Sequence, residues 1–203
     1  MARVAKRKKT YNEKNERYTP PVIFDALDYI FDLDPASPGE GKSFVTAKKH
    51  YAYADDGLTQ EWEGTVFLSP PTTNIGSWLQ KLAEHGDGIA LVTLRPDAAW
   101  FQEASKEAST LCLVEEKIVF YKGGKTKQYS TGTAVALLSF GDRAKEILLT
   151  SELGVCLSTD SAPAWRWFDD EDEDEGQDEE ISEAENEETS EPTDVDAEAE
   201  PQS

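Results

Sequence analysis

The chain has 203 residues, a formal net charge of −21 and two cysteines. No run approaches the roughly 18 to 20 consecutive apolar residues that a membrane helix needs, and the lysine-rich start lacks the apolar core of a signal peptide. We therefore expect a cytoplasmic protein with no membrane partner. Cys112 and Cys156 both lie inside apolar runs, which predicts free thiols that behave as small hydrophobic side chains.

Charge is distributed unevenly along the chain. Residues 169–203 carry 19 acidic residues and no basic one, whereas residues 1–17 carry seven basic and two acidic residues. A segment this charged cannot bury enough apolar surface to fold, so we predict a disordered acidic tail over 169–203 and a disordered basic arm over 1–17. Residues 18–168 are then a single domain of ordinary size. For the tail, a solubilising role is favoured over capture of a basic protein partner.

Apolar periodicity predicts alternating helices and strands in this domain. Helices are expected after Thr19-Pro20-Pro21, from Ile75 to Leu82, and over residues 98–107 and 143–150. Strands are expected over residues 31–33, 66–68, 89–94, 110–114, 117–121, 134–140 and 154–157, with a turn at Gly123-Gly124. Strands that alternate with helices indicate a layered α/β domain with a mostly parallel sheet.

Ligands of open α/β sheets bind beyond the carboxyl ends of the strands. Two strand ends are clearly marked here, one by Asp34-Pro35 and one by Ser69-Pro70-Pro71-Thr72. Consecutive prolines fix two φ angles and supply no donors, so the second segment leaves carbonyl acceptors free to meet an amine. The alternative is a plain diproline that ends a strand.

Other chemistries find little support in the sequence. The segment Gly39-Glu40-Gly41-Lys42-Ser43 lacks the first glycine of a phosphate-binding loop, because that position is Ala36. We interpret it as a solvent loop. Neither His50 nor His85 has a cysteine or histidine at metal-ligand spacing, so no metal site is predicted.

Six short segments occur in one order along residues 18–150 and together carry a resemblance. They are Tyr18-Thr19-Pro20-Pro21, Phe31-Asp32-Leu33-Asp34-Pro35-Ala36-Ser37, Tyr53-Ala54-Asp55-Asp56-Gly57-Leu58 with Trp62-Glu63-Gly64, Val66-Phe67-Leu68-Ser69-Pro70-Pro71, Arg95-Pro96-Asp97 with Trp100-Phe101, and Lys117-Ile118-Val119-Phe120. This set resembles the phage-type DNA N6-adenine methyltransferase (Dam-like) family.

The resemblance implies a Rossmann-like fold that transfers a methyl group from S-adenosylmethionine to adenine N6 in double-stranded DNA. An enzyme of this kind in a phage would act in the host cytoplasm and protect phage DNA from restriction. The implied cofactor-binding residues are Tyr18, Thr19, Pro20, Asp34, Pro35, Ala36 and Asp56. The implied catalytic residues are Ser69, Pro70, Pro71 and Thr72, which would meet a base flipped from the duplex.

The basic arm offers cations that could neutralise DNA phosphates. The candidate DNA contacts are therefore Lys6, Arg7, Lys8 and Lys9 of the arm, together with Arg95. A solvated terminus without a DNA role is the alternative for the arm, and the two interpretations are about equally supported.

The catalytic segment departs from the family pattern at both ends. Ser69 stands where the adenine enzymes have asparagine or aspartate, and a serine at this position resembles the pattern of the cytosine-N4 methyltransferases. Thr72 stands where the family has an aromatic ring that stacks on the base, a role that Trp78, Trp100 or Phe101 could take over. Three alternatives stay open: a cytosine-N4 methyltransferase, an inactive methyltransferase-like module that binds DNA or protein, and a small-molecule enzyme on the same fold.

Overall fold

The computed structural model describes residues 17–39, 41–122, 127–130 and 132–159, so most of the basic arm and the whole acidic tail lie outside the described residues. The helices are α1 (Pro21–Leu27), α2 (Ile75–His85), α3 (Ala99–Glu107) and α4 (Asp142–Thr150). The strands are β1 (Arg17–Tyr18), β2 (Phe31–Asp34), β3 (Ala47–His50), β4 (Val66–Leu68), β5 (Gly88–Thr93), β6 (Thr110–Val114), β7 (Val119–Lys122), β8 (Lys127–Ser130), β9 (Val135–Phe140) and β10 (Gly154–Ser158).

Seven strands form the central sheet, in the order β10-β6-β9-β5-β4-β2-β3. The pairs β3–β2, β2–β4 and β4–β5 are parallel. The pairs β5–β9, β9–β6 and β6–β10 are antiparallel. The predicted mostly parallel sheet is therefore wrong in this respect: the α/β domain has a mixed sheet, because β9 inserts antiparallel between β5 and β6. An apolar run reveals that a strand is buried, but not which way it runs.

Helices cover both faces of the sheet, and alternate side chains of each strand reach opposite faces. Ala90 and Val92 of β5 belong to the same apolar cluster as Trp78 of α2 and Phe101 of α3. A second cluster on the other face joins β5 with α1 and α4; it contains Ile89, Leu91, Ile23, Phe24, Ala144 and Leu148. This two-sided burial explains why β5 is apolar along its whole length.

A smaller sheet, in the order β1-β7-β8, is built from the segment between β6 and β9 and from the start of the described chain. Tyr18 pairs with Tyr121 and Arg17 with Lys122, both in antiparallel register. The segment returns to the central sheet beside β5, where the Leu94 N–H donates to the Ala134 carbonyl at 2.9 Å. The predicted strand over residues 117–121 is confirmed in part as β7, whereas the Gly123-Gly124 turn lies outside the described residues.

Both cysteines are free thiols, and they face each other as register partners on β6 and β10. Cys112 is fully buried and Cys156 is partly buried. Burial, with a smaller contribution from the neighbouring Cys156 thiol, raises the pKa of Cys112 to about 12. Cys112 therefore stays protonated and unreactive at neutral pH, as the apolar run predicts.

Candidate active site

The carboxyl ends of β2 and β4 lie side by side at the point where the chain changes direction across the sheet. From β2 the chain passes to β3 on one side and then returns to β4 on the other side of β2. Leu33 of β2 pairs with Val66 of β4, so Asp34 and Ser69 leave the sheet at the same edge. A reversal of this kind opens a crevice between the two strand ends, which is the usual ligand site of open α/β sheets.

Asp34 is buried at this edge, with only 2 % of its surface exposed. Its Oδ1 accepts from the Ala36 backbone N–H at 3.3 Å, and its Oδ2 accepts a long bond from the Ser43 hydroxyl at 3.5 Å. The ring Nδ1 of His50 also lies 3.5 Å from Oδ2. The carboxylate therefore holds the loop that follows β2 against the end of β3.

His50 is a candidate that sequence reasoning missed, since only a metal-ligand role and a pairing with a nucleophile were considered for it, and neither had support. Its Nδ1 lies 3.3 Å from the Ser37 hydroxyl as well as 3.5 Å from Asp34. Because the hydroxyl and the carboxylate meet the same ring nitrogen, this is not the relay in which they flank opposite nitrogens. The arrangement instead fixes the position of Asp34.

Thr19 directly follows β1 of the smaller sheet. Its side chain is buried, and among the described residues its Oγ1 has no hydrogen-bond partner. Phe44, in the loop after β2, packs on Tyr121 with ring centroids 5.1 Å apart, and Tyr121 is the register partner of Tyr18. An unpaired buried hydroxyl is costly, so Thr19 is a candidate ligand contact.

The segment from Ser69 to Thr72 forms an open turn between β4 and α2. Ser69 and Pro70 are half-buried, whereas Pro71 and Thr72 are exposed. Within the described part of the chain, the Ser69 hydroxyl forms no hydrogen bond. The turn ends at Asn74, whose φ of 63° is left-handed and whose side chain accepts from the Ser77 hydroxyl at 2.9 Å.

A family model described as DNA N-6-adenine-methyltransferase (Dam) matches residues 6–160 of the chain. The chain belongs to this DNA adenine methyltransferase family. No curated protein and no solved structure matches it. The Dam family assignment confirms the resemblance that the ordered segments carry.

The resemblance implies a base-stacking ring at the position of Thr72, and the three candidate replacements for that ring differ in burial. Trp78 is 8 % exposed and stacks on Trp62 with centroids 6.2 Å apart, and Phe101 is 4 % exposed. Both belong to the core and would have to leave it to reach a base. Trp100 is half-buried and packs edge-on against Phe101 at 5.6 Å. Of these three residues, Trp100 is the most exposed.

Asp56 lies in a loop that rests on the carboxyl end of β2. A Cβ placed on the next residue, Gly57, would lie 2.0 Å from the Pro35 carbonyl oxygen, so this close approach requires glycine. The preceding turn is closed by Asp55, whose carboxylate accepts from the Ala52 N–H at 2.7 Å. Asp56 itself is exposed, and its backbone is in the left-handed region with a φ of 51°.

The predicted DNA contact Arg95 follows β5 at the same edge of the sheet. Its guanidinium forms two 3.0 Å hydrogen bonds to the Asp97 carboxylate, which raises the pKa of Arg95 and lowers the pKa of Asp97. Both side chains are more than half exposed. The other predicted contacts, Lys6, Arg7, Lys8 and Lys9, lie outside the described residues.

Two cavities are lined by residues near the two strand ends. One of about 340 Å³ adjoins Pro20 and Pro21, across from Lys117 and Tyr121. The other, of about 270 Å³, is lined by Asp32, Lys49 and Glu63 among others. Neither cavity is lined by Asp34 or by Ser69.

The described residues contain no group of three or more His, Cys, Asp or Glu side chains placed to hold a metal ion. Among the same residues, no helix is both long and apolar enough to cross a membrane.

Proposed function

We propose that the protein transfers a methyl group from S-adenosylmethionine to the N6 amine of adenine in double-stranded DNA. Membership of the Dam family supports the reaction and the substrate. The observation that carries the proposal is the adjacency of the Asp34 loop and the Ser69 turn at the reversal of the chain between β2 and β4. A phage that encodes this activity would use it in the host cytoplasm to protect its DNA from restriction.

Residues beside the crevice fit a methyl donor. The buried Thr19 hydroxyl has a donor and acceptor to spare, and Asp34 keeps the following Pro35 and Ala36 in place through its contacts with Ala36, Ser43 and His50. Tyr18, Pro20 and Asp56 are the remaining proposed contacts. The bound donor supplies an electrophilic methyl group on a sulfonium. The role of this chain is to orient it towards the Ser69 turn.

Two acceptors of the Ser69 turn prepare the amine. The adenine N6 lone pair is delocalised into the ring, so the nitrogen attacks poorly until hydrogen bonds from its two N–H groups favour a pyramidal nitrogen on which the lone pair is localised. Ser69 Oγ and the Pro70 carbonyl are proposed to accept from the two N–H groups of a flipped adenine. The nitrogen then bonds to the methyl carbon as the methyl–sulfur bond breaks, and one amine proton passes to solvent.

The test exposes purified protein to radiolabelled S-adenosylmethionine and unmethylated duplex DNA, and then identifies the labelled nucleoside. We expect N6-methyladenine. Label on N4-methylcytosine would overturn the target base and favour the alternative suggested by Ser69. If no label is transferred and calorimetry detects no donor binding, the proposed reaction is wrong and the binding-module alternative replaces it.

A substitution at Thr72 sharpens this test. Base stacking on an aromatic ring contributes about 1–3 kcal/mol, so Thr72→Tyr should lower KM for DNA by roughly 5- to 150-fold. Thr73→Tyr is the matched control, because Thr73 is the next residue and is equally exposed. Equal effects of the two substitutions would show that position 72 has no special relation to the base.

A further inference from the structure

Lys81 of α2 holds part of the loop that precedes β4. Its ammonium donates to the Leu58 carbonyl at 2.7 Å and to the Gln60 carbonyl at 2.5 Å, and it lies 4.9 Å from the centroid of the Trp62 ring. The side chain is half-buried. We call residues 57–62 the α2-bound loop, because two of its carbonyl groups accept from this one ammonium of α2.

The α2-bound loop is also fixed at its start. The indole Nε1 of Trp62 donates to the Gly57 carbonyl at 2.8 Å, and the Trp62 ring stacks on Trp78 of α2 with centroids 6.2 Å apart. Gly57 is buried, and a Cβ at this position would collide with the Pro35 carbonyl oxygen and lie 3.3 Å from the Trp78 ring. Gly57 therefore fills the space between α2 and the segment that follows β2.

Helix α2 connects the α2-bound loop to the Ser69 turn. The helix begins at Ile75, directly after the turn, and Trp78 and Lys81 lie one turn apart on the same face. At 1.5 Å per residue, Lys81 is about 9 Å along the helix axis from Ile75. Because its ammonium is bound to the loop, any role of Lys81 in the reaction is exerted through the loop and not by contact with a substrate.

Methyl transfer by direct displacement requires the methyl carbon and the attacking nitrogen to be aligned at about 3–3.5 Å. In the proposed function, Pro35 and Ala36 contact the methyl donor and the Ser69 turn holds the amine. The α2-bound loop touches the first of these through Gly57 and is joined to the second through α2. It therefore connects the two sides of the site, in addition to the pairing of β2 with β4.

We propose that Lys81 is a positioning residue, which sets the distance between the donor side and the amine side by holding the α2-bound loop on α2. The proposal rests on the proposed function. Two hydrogen bonds to carbonyl groups are directional, so they fix the position of the loop more narrowly than apolar packing does. A displacement of about 1 Å at a reacting centre can lower the rate by about 10²-fold.

The test compares Lys81→Met with His85→Leu in the full chain. Methionine keeps an unbranched apolar side chain but removes the ammonium. His85 is the matched control, because its Nε2 also contacts a carbonyl of the segment before β4, that of Gly64 at 2.7 Å. Gly64 lies at the amino edge, away from the strand ends of the site. Both substitutions should lower the thermal unfolding midpoint.

Turnover should separate the two variants at a temperature well below both midpoints. Lys81→Met should lower kcat by about tenfold and leave KM for DNA unchanged, because the Trp62 bond still holds the start of the loop. His85→Leu should keep the wild-type kcat. Lys81→Gln is a milder second variant, since it keeps a neutral donor on a shorter side chain, and its kcat should lie between those of Lys81→Met and wild type.

Hydrogen exchange measured without substrate tests the connection independently of methyl transfer. Lys81→Met should raise amide exchange in the α2-bound loop and in a peptide that covers residues 31–39, whereas His85→Leu should leave that peptide unchanged. Raised exchange in a protein that transfers no methyl group would show that Lys81 holds the two strand ends in place while the proposed reaction fails.

Three outcomes would overturn the proposal. The first is a wild-type kcat in Lys81→Met. The second is an equal loss of kcat in Lys81→Met and His85→Leu, since turnover would then follow stability alone. The third is unchanged exchange over residues 31–39 in Lys81→Met, whether or not methyl transfer is found.

Discussion

The two edges of the central sheet use polar residues in different ways. At the amino edge, the buried Thr65 hydroxyl contacts Tyr29 Oη at 3.1 Å, Asp87 Oδ2 at 3.1 Å and Arg143 Nη1 at 3.3 Å. The Thr65 backbone N–H donates to Asp32 Oδ2 at 2.8 Å. The starts of β2, β4, β5 and α4 are thereby tied together. The network is not complete, because Asp87 Oδ1 is buried without a partner among the described residues.

The carboxyl edge carries the opposite pattern. Ser69 is half-buried with no hydrogen bond to its hydroxyl within the described chain, and Thr72 is exposed. Asp34 is the exception here, since it is buried and turned towards its own loop and His50. Polar groups at this edge are therefore either held in position or left free for a ligand.

This difference teaches that stability and chemistry are separable in this fold. Substitutions at the amino edge remove contacts that the folded chain already makes, so they should lower stability. At the carboxyl edge, substitution of a side chain without a contact in the described chain, such as that of Ser69, removes a group that the fold does not use, so it should lower activity alone.

The largest expected effect is that of Ser69→Ala on turnover. If the hydroxyl polarises the amine only in the transition state, its loss should lower kcat by about 10²-fold, similar to other preorganised polar groups. The thermal unfolding midpoint should not change, because no hydrogen bond within the described chain is lost. Methylation kinetics and a melting curve measure the two quantities on one preparation.

Ser77→Ala is the control for this change. The Ser77 hydroxyl does bond within the chain, to Asn74 Oδ1 at 2.9 Å, and Ser77 begins the exposed side of α2. Its removal should leave kcat close to wild type. A Ser69→Ala variant with wild-type kcat would contradict the catalytic role of the turn.

Sequence patterns predict the buried elements well, because burial is recorded in apolar spacing. The run at 89–94 and the segment at 66–68 are confirmed as β5 and β4, and all four predicted helices are present. The two strand ends marked by Asp34 and Ser69 do meet at one edge. These features are encoded locally, by apolar residues and by prolines that end a strand.

Elements at the margins could not be predicted in the same way. Strand β3 reads Ala47-Lys48-Lys49-His50, and an edge strand of this kind has too little apolar burial to leave a pattern. His50 reaches Asp34 only through the parallel register of β2 and β3, a pairing between distant residues that no local motif records. The antiparallel direction of β9 could not be predicted either, because it too depends on pairing between residues that are distant in sequence.

A medium effect is expected at the amino edge for Thr65→Val. The substitution keeps the shape of the side chain but deprives Tyr29, Asp87 and Arg143 of a shared partner, which should lower the free energy of unfolding by about 1–3 kcal/mol. At denaturant concentrations well below its unfolding midpoint, the variant should keep the activity of the wild type. Thr46→Val, at an exposed site, is the control for denaturant titration. A Thr65→Val variant with a lower kcat and unchanged stability would contradict the assignment of the amino edge to stability.

The smallest effect concerns pH, through the ion pair of Lys48 with Asp32 at 2.7 Å. The hydrogen bond from Lys48, and after it that from the Thr65 N–H, hold the pKa of Asp32 below its ordinary value of 3.8. A lowered pKa in the folded state means that Asp32 stabilises the protein above pH 3.8, and that this contribution is lost as the pH falls through the folded-state value. Lys48→Gln should therefore destabilise the protein slightly at neutral pH, and less than Thr65→Val does, because Lys48 is 68 % exposed and screened by solvent. Denaturant titrations over a pH series should show the difference from wild type disappearing once Asp32 is protonated, whereas a difference of constant size at every pH would show that the ion pair does not cause it.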